Sequence, residues 1–132
     1  MMKTYELENE VYDALKTNEE LMTALPLKDK AVFHYAAPSS EPAQYPIVVC
    51  SPISDVPALA GDDCEVAHRV TIRIHVIALQ RRFDAEEQNF LSACRLVQEI
   101  MASLGFVRRQ TTPFVHDGKV MRIFDFVKGV ES

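Results

Sequence analysis

The sequence predicts an α+β fold: a four- to five-stranded mixed or mainly antiparallel sheet with an N-terminal helix and one long helix packed on one face. Three patterns carry this expectation. Apolar and polar residues alternate from Ala67 to Leu79, apolar residues recur at helical spacing from Asp84 to Leu104, and His116-Asp117-Gly118 joins two strand-like runs.

The elements follow in order. Leu7, Val11, Ala14 and Leu15 form one apolar stripe between Tyr5 and Thr17, with Glu6, Glu8, Asn9, Glu10 and Asp13 largely opposite, so a surface helix is expected. Asn18 suits the N-cap of a second short helical piece that has Glu19 and Glu20 at its positive end and stops before Pro26. Ala31–Ala36 is strand-like and is closed by the Pro- and Ser-rich stretch Pro38–Pro42. Pro46–Cys50 has adjacent apolar residues, the mark of an interior strand covered on both faces.

Ser54–Glu65 contains Pro57, Gly61 and Asp62-Asp63 and reads as a long loop. In the strand after it, Val70, Ile72, Ile74, Val76 and Ala78 point to a core, while Arg69, Thr71, Arg73 and His75 form a basic, polar face. Asp84 and Glu87 have capping-box spacing and open the long helix, whose stripe is Phe90, Cys94, Val97, Met101 and Leu104, with Gly105 as its left-handed stop. Phe106–Val115 and Lys119–Lys128 close the chain as a hairpin turned by Asp117-Gly118.

A length of 132 residues, 48% hydrophobic and 25% charged, fits one globular domain spanning the chain. A net charge of −5 argues against non-specific capture of nucleic acid, which depends on Lys and Arg neutralising phosphates. No apolar run approaches the ~20 residues of a membrane span, and the N-terminal residues do not form a secretory leader. Cys50, Cys64 and Cys94 are odd in number and widely spaced, which points to reduced thiols in an intracellular protein.

The sequence contains no catalytic pattern. Cys50 and Cys94 sit in apolar segments, and Cys64 lies between Asp63 and Glu65, where a thiol keeps its proton. His34, His68, His75 and His116 lack metal-ligand spacing, and the four glycines form no phosphate-binding or nucleophile-elbow motif. Arg81-Arg82 and Arg108-Arg109 could join Arg69 and Arg73 in a basic patch, but no interleaved aromatic platform accompanies them, and salt bridges to the acidic first helix of another subunit explain them as economically. The last strand is apolar on both faces, with Met121, Ile123 and Val127 on one and Val120, Phe124 and Phe126 on the other, so one face calls for a partner.

The succession of a helix ending in Leu21-Met22-Thr23-Ala24-Leu25, Val32-Phe33-His34-Tyr35, Tyr45-Pro46-Ile47-Val48-Val49, the His68–Val76 strand, the Asp84–Leu104 helix and a closing strand pair resembles the small tail-completion proteins of tailed bacteriophages and prophages. The resemblance spans nearly all of the chain. It implies a tail terminator or head-to-tail joining subunit that forms a ring, commonly of six copies, and meets the tail tube and the head connector. It implies no enzyme activity, cofactor, metal or membrane partner, and a place in the host cytoplasm during assembly and then in the virion. The expected interface residues are Asp62 and Asp63 in the long loop, Arg69, Arg73 and His75 on the polar strand face, and Phe124 and Phe126 on the last strand. A connector adaptor or minor tail protein on the same fold, and a small ligand-binding or enzymatic α+β domain, are the alternatives.

Overall fold

Leu7, Val11 and Leu15 are fully buried along one side of α1 (Thr4–Thr17) in the computed structural model, which describes residues 4–26, 28–34, 45–61 and 64–131. Asn18 caps α2 (Glu19–Ala24) as expected, its side-chain oxygen accepting from the Leu21 N–H at 2.9 Å. A 3₁₀ turn at Lys28–Ala31 leads into β1 (Val32–His34), and residues Tyr35 and Ala36 of the expected strand lie outside the described residues. The other elements are β2 (Ile47–Gly61), β3 (Cys64–Leu79), α3 (Phe83–Ser103), β4 (Val107–His116) and β5 (Lys119–Glu131).

The sheet is mixed and five-stranded, in the order β1-β2-β3-β5-β4. β1 runs parallel to β2, and the other neighbours are antiparallel. β3 is central, paired with β2 through Ile77, Ile74 and Val70 and with β5 from Leu79 to Ala67. Directly opposed residues share a face, so Val70, Ile72, Ile74, Val76, Phe124 and Phe126 lie together and join α3 and α1 in one buried cluster. Phe90, Ala93, Val97 and Met101 supply the α3 side of it.

Two expectations fail. Apart from Asp62 and Asp63, which lie outside the described residues, Ser54–Glu65 is strand and not loop: Ser54–Gly61 continues β2, and Cys64 and Glu65 begin β3. Irregularities in the ladder at Pro52/Ser54, Pro57/Leu59 and Leu59/Ala60 absorb the residues that signalled a break, because an extra residue on one strand lets pairing resume beyond it. Asp84 is not the helix cap. A 3₁₀ turn at Gln80–Arg82 runs straight into α3 at Phe83, and the first turn is tied instead by an Arg82–Glu86 ion pair of 3.0 Å.

The remaining ends form as the sequence requires. Gly105, at φ 90°, ends α3 in a Schellman arrangement, with its N–H on the Ala102 carbonyl and that of Phe106 on Met101, both at 3.0 Å. Lys128 donates to the Leu104 carbonyl at 2.7 Å and fastens the same end to β5. Asp117 and Gly118 both have positive φ, the requirement of a two-residue type I′ hairpin, and the Gly118 carbonyl accepts from the Gln80 N–H at 2.9 Å.

β1 pairs with only Val48, Val49 and Cys50, so the β2 edge from Ser51 onward has no strand beside it among the described residues. Pro52 and Pro57 fall on that stretch, and Pro113 falls on β4 at the opposite edge.

Phe124 is one of two phenylalanines that β5 contributes beneath the helices, at 1% exposure. Phe124→Ala is expected to cost about 3–5 kcal/mol through lost burial and a residual cavity. Urea unfolding should show a lower midpoint at unchanged slope, and a loss below about 1 kcal/mol would contradict the packing described.

Candidate assembly surface

The sheet face turned away from the helices presents a surface assembled from β2, β3, β5 and β4. At its centre Arg73 and Asp125, directly opposed on β3 and β5, form a two-pronged ion pair: Nε donates to Oδ1 at 2.8 Å and Nη2 to Oδ2 at 3.0 Å. Asp125 holds Arg73 all the more firmly protonated. The pair is half-exposed on the arginine side, so its value lies in fixing two side chains and less in stability. Arg73 is thus engaged within its own subunit.

His75 stands next on the same face, opposite Val49 and Ile123. Its Nδ1 is buried with no hydrogen-bond partner among the described residues. Burial, followed by the Arg73 cation, lowers its pKa from the ordinary 6.5, with Asp125 pulling the other way.

Towards the N-terminal end of β3 the face opens into a groove of about 520 Å³ lined by Arg69, Val107, Arg109, Val127 and Gly129. Gly129 lies directly opposite Arg69 and gives the floor no side chain. A bulge between Arg108 and Gln110 separates the two arginines of β4: Arg108 turns back to bond Gln98 of α3 and Thr111, while Arg109 lines the groove. Val107, 70% exposed, forms one side, and Val56, opposite Arg69 on β2, is 46% exposed. Among the described residues, neither Arg69 nor Arg109 makes an ion pair or hydrogen bond.

Of the residues expected at an interface, the structure brings Arg69, Arg73 and His75 onto one face. Phe124 and Phe126 are instead 1% and 2% exposed, stacked on the helix side with centroids 6.0 Å apart, and so belong to the subunit's own core. Their direction follows from pairing with Ile74 and Ile72, whose side chains already face the helices. Asp62 and Asp63 lie outside the described residues. Gly129 was not singled out in the sequence, although a lone glycine inside a strand run is a recognised sign of close approach.

Among the described residues, the groups that could carry chemistry are dispersed. Burial raises the thiol pKa of Cys50 and of Cys94 to about 12, the opposite of an activated nucleophile. His34 stacks on Tyr12 with Glu8 3.8 Å away, and His68 meets Asp55 at 2.6 Å between β3 and β2, so these histidines have separate carboxylate neighbours on separate elements. Neither the groove nor the cleft between α2 and α3, lined by Glu20, Asn89, Ser92 and Arg95 among others, includes a histidine. Among the described residues no three His, Cys, Asp or Glu groups cluster as a metal site, and no helix is long and apolar enough to cross a membrane.

No family model matches the sequence, and no curated protein matches it. The fold does match a solved structure described as the virion of a native gene transfer agent (GTA) particle, with a TM-score of 0.67 and 17% identity. The match covers 96% of this chain and 95% of the other. At that identity the likeness is one of fold, and it extends from one end of both chains to the other.

The His75 environment predicts a pH dependence. The folded state binds this proton less readily than the unfolded chain, so its contribution to stability is present above the unfolded value of 6.5 and is lost as pH falls below it. Comparing unfolding free energies between about pH 7.5 and pH 5.5, His75→Gln should show a shallower decline than the parent. Equal slopes would mean that His75 titrates normally.

Proposed function

We propose that this chain is a structural subunit of a phage-like virion, a tail terminator or head-to-tail joining protein that works as a ring. The observation that carries the reading is the fold match, which covers 96% of this chain and 95% of a chain from a gene transfer agent particle. The neighbour's place in a virion supports the same place here. The dispersed histidines and the protonated thiols fit a protein that acts by binding other chains.

The ring, of six copies on this reading, caps the tail tube and meets the head connector, assembling in the host cytoplasm before it enters the particle. The chain is one domain, and its charge supports head-to-tail contact. From Thr4 to Ala24 the acids Glu6, Glu10, Asp13, Glu19 and Glu20 reach the surface against a single base, Lys16, whereas the groove on the other side of the sheet carries Arg69 and Arg109. An acidic end and a basic end on one subunit suit a heterologous contact, which closes a ring when the rotation allows.

Light scattering over a range of concentration and salt tests the ring. The expected result is a plateau at a fixed multiple of the 14.9 kDa chain, weakening as salt screens the contact. A mass that stays at one chain throughout, or one that rises without a plateau, would count against a closed ring.

A further inference from the structure

We infer that the Arg69–Arg109 groove is the socket for the acidic outer face of α1 from a second copy of this chain. The inference rests on the ring reading and specifies its contact. Glu10 and Asp13 lie three residues apart on α1, so their carboxylates stand side by side; Asp13 is exposed and Glu10 half-exposed. Glu6, also exposed, continues the stripe one turn earlier. α1 packs against β1, β2 and α3, on the side of the sheet opposite the groove, so the helix and the groove of one subunit face different ways and only another copy can join them.

The groove is built for such a guest. Its two guanidinium groups are without partners among the described residues, and Arg73 nearby is already neutralised by Asp125, so the local positive charge is concentrated at Arg69 and Arg109. Val107 and Val127 line the same space, and Val56 stands beside Arg69. Once a guest helix is seated, these apolar walls reduce the water around its carboxylates, which strengthens their attraction to the arginines. Gly129 leaves the floor clear: a Cβ there would meet no atom within 4 Å, so the space is open to an incoming side chain.

The test uses the full chain in three forms. Arg69→Glu with Arg109→Glu destroys the socket, Glu10→Arg with Asp13→Arg reverses the plug, and Gly129→Val obstructs the floor without changing charge. Circular dichroism and thermal melts first establish that each variant is folded, as expected for solvent-facing positions. Light scattering should then give a mass of one chain for each charge-reversed variant alone. Their equimolar mixture should rise above one chain, because the intact plug of one variant meets the intact socket of the other and the two reversed surfaces are again opposite in charge. Gly129→Val should weaken association by at least about tenfold at low salt.

If the wild type assembles but either charge-reversed variant assembles equally well, or the mixture forms no pair, this contact is wrong while the ring reading stands. If the wild type stays at one chain in every condition, both the contact and the ring fall.

Discussion

The architecture depends on β3 being paired along both edges. Its long ladder with β5 sets the parity of the last strand, and its ladder with β2 carries that strand past the point where β1 ends. Once β3 is fixed in the middle, every other residue on it is committed to the helices or to the open face. Val70, Ile72, Ile74 and Val76 draw α3 and α1 onto one side, and Arg69, Arg73 and His75 are left on the other. A one-residue slip would exchange the two sets and bury the arginines, which is why the register is so strongly determined.

That division was legible in the sequence where a pattern had one period. The alternation of Ala67–Leu79, the α3 stripe, the Asn18 cap, the Gly105 stop and the Asp117-Gly118 turn each reflect a local rule with one solution, and the structure contains all of them. The missed features have a different origin. Pro57 and Gly61 are local breakers, but the strand they interrupt is held by a partner whose position only the tertiary fold reveals. β5 is apolar on both faces, so its sequence has no parity, and Phe124 and Phe126 acquire a direction only from their neighbours on β3. The helix start at Phe83 follows from a 3₁₀ turn continuous with it, which removes the need for a capping side chain at Asp84.

The candidate surface was half visible for the same reason. Basic residues on β3 and the Arg108-Arg109 pair are apparent in the chain, but which arginine is free depends on two tertiary facts. Asp125 takes Arg73, and the bulge on β4 sends Arg108 towards α3 and Arg109 to the groove. A bulge cannot be located from composition, and a cross-strand ion pair requires the register. A charge pattern thus gave the region, and pairing selected the residues within it.

The prolines at the two borders of the sheet bear on what kind of polymer this chain can form. An uncovered strand edge ordinarily offers a row of N–H and C=O groups to any other extended chain, the starting point of fibrils. Here Pro52 and Pro57 on β2, and Pro113 on β4, each remove one backbone donor from the outermost described strands. Growth by strand addition is therefore interrupted at both borders, and association is left to side chains on a face, where shape and charge decide the neighbour. Contacts of that kind are saturable: each surface accepts one guest, so crowding these subunits lengthens or closes a single row and does not spread it sideways into sheets.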